Sequence, residues 1–436
     1  MKHLIKRAAA LFVTLLLVVC TGTSALSNAA AGTEPVTVTF WHIWTADWEK
    51  VINDAVAVFE KENPGILVDA LPVPGVSNEK FMAAVAANEA PDVFKTNGRY
   101  SKWAYQDAIM PLDDYIAAKT PGLLDWMYPA VAESCIVNGK VYGIPMSMDT
   151  FMMWYNKTLL DEAGIDPATL PSSLEEFDVL QKKLWKFDDN GNITQVGFWP
   201  KDSDYMTWMA QFGTKPLSGD KIDVLQPKVI ETIKWYESYA TSMGIDPLKV
   251  AAFTQANDGG DDSNSLYAKG LCAFWVDGMW VVEVVEEFSP QFEYGAIPVP
   301  APAGGAYNST GIDANFMVMP KGSKNPQEAF QFMAWFSGYK AEETIAGILS
   351  LGGWIPISPE IAKTATYQDY LNDRPVRKIF VDALLNPASV AYPNISYVDF
   401  FHTKMKNAIE RVQMKQQTTE QSMEDLQVEL DDEAKG

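Results

Sequence analysis

The sequence predicts an α/β protein made of two doubly wound lobes. Three observations carry that expectation. Strand and helix patterns alternate from Val36 to Phe94 as β-α-β-α-β, the opening of a doubly wound sheet. A second α/β region, with its own strands and helices, begins at Phe151. The 436 residues exceed one ordinary core and suit two.

Val36-Thr37-Val38-Thr39-Phe40 alternates and is β-branched, so it reads as a strand, and it runs into Trp41-His42-Ile43-Trp44. Val51, Ala55, Val58 and Phe59 recur at helical spacing, giving a helix from about Asp47 to Glu62 that Asn63-Pro64-Gly65 stops. Ile66 to Leu71 is the next strand, Phe81 to Asn88 a short helix, and Pro91 to Phe94 a third strand. Ligands collect beyond the carboxyl ends of strands in such sheets. That places Trp44 and the Asn97-Gly98-Arg99 loop at a candidate site.

Farther along, Phe151 to Tyr155 is a strand and Asn156-Lys157 opens a helix. Helices follow over Leu174 to Lys186 and Pro227 to Met243. Leu271 to Val276 is a buried strand, with a helix beginning near Trp280. Gly295 to Val299 and Phe316 to Val318 are strands, Pro326 to Phe336 a helix, and the tail from Asp399 is helical. Thr418 with Gln421 has the spacing of a capping box. No internal repeat is visible.

Composition narrows the function. A net charge of −22 repels phosphate backbones, so nucleic acid is not an expected partner. Three histidines leave almost no material for a His-built metal site or an acid–base relay. The surplus is in aromatics, 14 Trp and 17 Tyr, some of which are expected to face a ligand. Asp188, Asn190 and Asn192 imitate the front of a calcium loop, but Trp199 stands where the bidentate Glu belongs, so a plain turn is expected and no metal site.

Residues 1–33 read as an export leader. Lys2, Lys6 and Arg7 precede an apolar run from Ala8 to Val19, about half of the roughly 20 residues a spanning helix needs. Its end is open. Cys20 after Leu17-Val18-Val19 looks like a lipoprotein box, although Val19 is not small, and the Ala25 to Ala31 stretch offers ordinary cleavage. Cys135 and Cys272 sit in apolar runs and are expected to be free, buried thiols.

Six segments then occur in order: Thr39-Phe40-Trp41-His42; Asn88 to Phe94; Gly139-Lys140-Val141-Tyr142-Gly143-Ile144-Pro145; Tyr155-Asn156-Lys157 with Glu162 to Pro167; Gly270 to Trp280; and Gly322-Ser323-Lys324-Asn325-Pro326. Together they resemble extracellular solute-binding protein family 1, the maltose-binding-like receptors of carbohydrate ABC importers. The resemblance implies two lobes joined by a multi-crossover hinge and closing over a sugar. The expected lobes are 34–149 with 311–355, and 150–310 with 356–436. It implies a monomer outside the cytoplasm that captures a mono- or oligosaccharide and delivers it to a membrane permease. It implies no chemistry and no cofactor.

The resemblance also implies site residues. Asp149, six residues before Tyr155-Asn156, matches an acid at the first crossing that accepts sugar hydroxyls. Trp280 matches an aromatic that stacks on a sugar ring, with Gly278 letting the backbone approach the ligand. Trp199 lies in a stretch that reaches the cleft from the second lobe, while Trp208 has core spacing. Asp313, Trp354 and Phe401 lie near later crossings or on the tail helix. Two other readings stay open. One is a receptor for a polyamine or a glycerol phosphate ester, with Arg99 and Lys201 the cations near the site. The other is a secreted glycoside hydrolase, although no carboxylate pair stands out.

Overall fold

A computed structural model of the chain describes residues 34–75, 78–218, 221–242, 244–259, 264–288 and 292–435. The expected leader, with Cys20 and the Ala25–Ala31 stretch, lies outside these residues, as does most of the Gly259–Asp262 loop. In chain order the strands that matter here are β1 (Val36–His42), β2 (Ile66–Pro72), β3 (Val93–Thr96), β4 (Gly143–Thr150), β5 (Met152–Asn156), β6 (Phe274–Asp277), β7 (Tyr294–Ile297), β8 (Gly311–Val318) and β9 (Val390–Ala391).

β1 pairs parallel with β2 and β3, as the alternating pattern predicts. The intervening helices, Ala46–Glu62 and Asn78–Ala86, supply the crossovers. β8 then enters this sheet from much later in the chain. It lies antiparallel to β3 on one edge and antiparallel to β4 along its whole length on the other. Asp92, at the mouth of β3, ties this sheet to the next helix. Its carboxylate accepts from the Thr39 amide and hydroxyl, the Ser323 hydroxyl, and the amides of Lys324 and Asn325, just before the helix Pro326–Phe336. Burial alone would raise its pKa, but these donors hold it below the ordinary carboxylate value.

The second sheet has three strands. β5 is its centre, and β6 and β7 flank it on opposite edges, both antiparallel. Both faces of β5 are buried, which is why it reads as a continuous apolar run. Met153 faces a core with Phe274 and Val276. Trp154 faces the other way, stacked 6.3 Å from Trp275 and 5.4 Å from Phe380.

Three crossings join the lobes, and they meet at Thr310, which is fully buried. Its hydroxyl accepts from the Phe151 amide at 3.0 Å and donates to the Phe151 carbonyl at 2.9 Å, at the first crossing. Its own amide donates to the Ser389 hydroxyl and its carbonyl accepts from the Val390 amide, at the third.

Two expectations need correction. The chain does not leave the first lobe at residue 355. Ile361, Tyr367 and Leu371 are buried on helices that pack on Glu342–Gly352, which itself packs on Ala46–Glu62 of the first lobe, and the Tyr367 hydroxyl donates to the Trp354 carbonyl. The helices Pro359–Ala362 and Ala365–Asp373 therefore cover the helix Glu342–Gly352, and the return comes later, through Val376–Ala383 and β9. Phe401, expected at the ligand, is fully buried in the second lobe, edge-on to Tyr205 at 5.9 Å. The reason is helical phase: Phe401, Met405, Ala408, Ile409 and Val412 form the stripe with which the helix Val398–Gln413 meets Pro227–Ser242. The last helix, Thr419–Glu433, carries the expected capping box of Thr418 and Gln421. Cys135 and Cys272 are free and buried, as their apolar settings predict.

Thr310→Val keeps the volume but leaves the buried Phe151 amide without its acceptor. It should lower stability by about 1–3 kcal/mol in urea unfolding. An unchanged midpoint would show that the crossings do not depend on this hydroxyl.

Candidate functional site

The register of β8 against β4 builds one wall of the site. Asp313 lies directly opposite Asp149, and Asn315 opposite Ser147, so all four side chains share one face. Asn315 Nδ2 donates to Ser147 Oγ at 2.9 Å and to Asp149 Oδ2 at 3.3 Å. Asp313 Oδ1 accepts from the amides of Gly98 at 2.8 Å and Ala314 at 2.7 Å. A Cβ on Gly98 would lie 2.6 Å from that oxygen, so only glycine permits the approach. Behind the acids stands Lys95, 1% exposed, on β3. Its ammonium donates to Asn97 Oδ1 at 2.7 Å and lies 4.7 Å from the centre of the Trp44 ring.

The facing wall comes from the second lobe. Asp277 ends β6, with Trp280 three residues on, while Lys201 and Asp204 flank a short turn before the helix Tyr205–Gln211. Phe151, just past the Asp149–Thr150 end of β4, meets the Trp280 ring edge-on at 6.0 Å. Tyr392, just past β9, feels both Asp313 from the first wall and Asp204 from the second. A cavity of about 30 Å³ opens among Phe151, Asp204, Thr207, Ile312 and Tyr392. Arg99 reaches across to Asp399 at 3.5 Å, Lys102 pairs with the same carboxylate, and the Arg99 guanidinium lies 5.5 Å from the Tyr392 ring centre.

The sequence-predicted residues divide. Trp44, Asn97, Asp149 and Asp313 gather on the first wall, with Trp280 and Trp199 on the second-lobe side. Trp199 is partly exposed and edge-on to Trp185 and Tyr239. Trp354 is only 6% exposed; its ring lies 5.0 Å from that of Trp44, so it braces Trp44 from behind rather than facing a ligand. Gly278 does not bring the backbone to a ligand. The indole of Trp280 fills the space where its Cβ would stand, at 2.0 Å. Trp208 is fully buried against Trp235, as its spacing suggests. The Asp188 oxygens are taken by the amides of Asn190 and Asn192 and the Asn192 side chain, as in a plain turn.

Sequence reasoning missed Lys95, Asp204, Asp277, Tyr392 and His402. One helical position past Phe401, His402 turns toward Tyr205 and Tyr392 instead of the core. Its pKa is depressed to about 3, first by burial and then by Arg99 and Lys406, so the ring is neutral. The only prior signal was the amphipathic phase of the tail helix.

Burial dominates the electrostatics. It raises Asp149 and Asp313, and the Asp313 carboxylate further opposes ionisation of Asp149, while Lys95 pulls both down. Burial lowers Lys95, and the two acids oppose that. Asp204 is likewise raised to about 7, chiefly by burial. On Lys201, which water reaches, the crowding of the cleft works against the charge, but Asp277 and Asp204 outweigh it and its pKa rises. Each wall thus sets an ammonium in the field of two carboxyl groups, one of which on each wall is raised to about 7.

With Asp149 raised to about 7, the folded protein keeps a proton that the unfolded chain has already released above the ordinary carboxylate value. Stability should therefore fall as pH rises through that window. Asp149→Asn should flatten the decline in thermal melts taken from about pH 5 to 8. Parallel curves for the two proteins would place the titration elsewhere.

The chain matches the bacterial extracellular solute-binding protein family over residues 54–373. The melibiose/raffinose/stachyose-binding protein MelE of Bacillus subtilis is 28% identical over 303 residues, 68% of each chain. An ABC transporter extracellular-binding protein of Pyrococcus horikoshii is 27% identical over 378 residues, 82% of this chain and 78% of that one. The structure of CpMnBP1 with mannotriose bound has 27% identity and a TM-score of 0.78, and covers 91% of this chain and all of its own. The sugar-binding protein MalE of Xanthomonas citri, at 20% identity and a TM-score of 0.71, shares the fold. With its two α/β lobes, its three crossings and its charged, aromatic-walled cleft, the chain belongs to the bacterial extracellular solute-binding protein family.

Proposed function

We propose that the protein is the extracytoplasmic substrate-binding subunit of an ABC importer, capturing a neutral mono- or oligosaccharide between its lobes and delivering it to a membrane permease. The observation that carries this reading is the pairing of donors with acceptors on both walls, next to partly exposed indoles. A sugar hydroxyl accepts from an ammonium while donating to a carboxylate, so Lys201, which water reaches, with Asp204 and Asp277 serves hydroxyls in both directions, while Asp149 and Asp313 accept from them with the buried Lys95 charge behind. Trp44 and Trp280 supply rings for the C–H face of a pyranose. The relatives named for melibiose, raffinose and stachyose, and the structural neighbour with mannotriose, support an oligosaccharide.

The protein works by binding and closure, as a monomer and without a cofactor. Its residues 1–33 act as an export leader, and Cys20 is the attachment point if the mature chain is lipid-tethered. A ligand touching both walls favours the closed state, and only that differential affinity drives closure. Phosphate esters are a poor fit, because each cation already has acidic neighbours.

Calorimetry with a panel of oligosaccharides, set against glycerol phosphate and spermidine, tests the reading. Saturable heat is expected from sugars alone, with the sugars recovered uncleaved. Binding of the ester or the amine in their place would overturn the assignment, and cleavage products would make the protein a hydrolase. Trp280→Ala should weaken sugar binding by about 1–3 kcal/mol, with the far-ultraviolet circular dichroism unchanged. A large fall in melting temperature at unchanged affinity would make Trp280 a core residue.

A further inference from the structure

The small cavity at the hinge is built differently from the two charged walls. Each of the three crossings lines it: Phe151 the first, Gly311 and Ile312 the second, Tyr392 the third. Asp204, Met206 and Thr207 of the second lobe help to complete it. Met206, Thr207, Gly311 and Ile312 are buried and make its floor, whereas Phe151, Asp204 and Tyr392 are half-buried and make its rim. The cavity is therefore a pit and not a sealed void. Its rim adjoins both walls, since Phe151 meets the Trp280 ring at 6.0 Å and Tyr392 lies in the fields of Asp313 and Asp204.

Two polar groups of the pit have bonding capacity to spare. Thr207 Oγ1 accepts from the Gly311 amide at 3.2 Å, and among the described residues its own proton has no acceptor. The Asp204 carboxyl accepts, among the described residues, only from the Ser203 hydroxyl at 3.2 Å. Phe151, Met206 and Ile312 give the pit apolar sides. A single water needs about 10–15 Å³ of such space. The pit has about 30 Å³, which suits two heavy atoms, one carbon and one oxygen.

We infer that the pit is a preformed subsite for the hydroxymethyl group of a hexose, and that Asp204, with Thr207 beneath it, selects hexoses against pentoses and 6-deoxy sugars. The inference rests on the carbohydrate reading. The methylene lies against the apolar sides while the hydroxyl donates to Asp204 and accepts from Thr207. A site built to hydrogen-bond a hydroxyl discriminates against the analogue that lacks it, because its own polar groups are then left unpaired. Position adds to this. Points near a hinge axis move least when lobes rotate, so a pit lined by all three crossings keeps its shape between open and closed states. A hexose seated there is held before the walls close on the rest of the ligand.

Calorimetry with the methyl glycosides of glucose, mannose and galactose, each set against its 6-deoxy counterpart, tests the inference. For any configuration that binds, wild-type protein should prefer the hexoside by at least about tenfold. Asp204→Ala should erase that preference by weakening the hexoside, and the 6-deoxy sugar should bind no worse than before. Equal binding of the two sugars by wild-type protein, or a preference that survives Asp204→Ala, overturns the inference while leaving the carbohydrate reading in place. Should mannotriose bind where the single hexosides do not, or should Asp204→Ala fail to fold, the crystal structure of the wild-type protein with the sugar that binds decides. A C6 hydroxyl within hydrogen-bond reach of Asp204 supports the subsite, and a pit that holds only water overturns it. Wild-type protein that binds neither the hexosides nor mannotriose sinks the subsite and counts against the carbohydrate reading as well.

Discussion

The architecture depends on the hydrogen bonds of one buried threonine. At Thr310 the hydroxyl, amide and carbonyl all find partners, and those partners belong to the other two crossings. A buried backbone group left unpaired costs more than a paired one gains, so these bonds hold the three segments together beside the pairing of β8 with β4 and with β9. From that node β8 leaves in a fixed direction, and its register against β4 follows. A slip of one residue would turn Asp313 and Asn315 away from Asp149 and Ser147 and dissolve the first wall of the cleft.

The same register creates the electrostatic tension of the site. Directly opposed carboxylates destabilise a strand pair. The fold offsets this with the amides of Gly98 and Ala314 on Asp313, the Asn315 side chain on Asp149, and the Lys95 charge behind both. Gly98 is needed only because Asp313 lies where a Cβ would intrude. The second wall repeats the theme with other residues: Lys201, which water reaches, stands near Asp204 and Asp277. A ligand binding between the walls enters a pocket already rich in charged donors and acceptors, whose orientation is set by backbone rather than by flexible surface side chains.

The aromatic surplus serves two ends. Trp154, Trp208 and Trp354 are buried and hold helices and strands together, and Trp354 also backs Trp44. Trp44, Trp199 and Trp280 keep part of their surface open. Glycine makes this possible at two places, since the indoles of Trp280 and Trp354 lie in the space that side chains at Gly278 and Gly352 would fill.

The sequence alone determined the class of fold, the opening β-α-β-α-β run, the buried thiols, the capped last helix and the place of Trp44 and Asn97 beyond the ends of the first sheet's strands. These are local properties, or consequences of a sheet's handed winding, and periodicity and turn chemistry express them directly. Asp149 and Asp313, by contrast, were legible only through the family resemblance. Tertiary structure alone decided that β5 would have antiparallel neighbours on both edges, and that residues 356–373 would stay with the first lobe. It also decided that Phe401 would face inward while His402 faced Tyr392. Each of these depends on which partner covers an apolar face, and a stripe such as Phe401–Met405–Ala408 does not name its partner. Lys95 is the clearest case. A lysine in a short apolar strand gives no sign of its purpose until β8, more than 200 residues later, brings a carboxylate beside it that also faces Asp149.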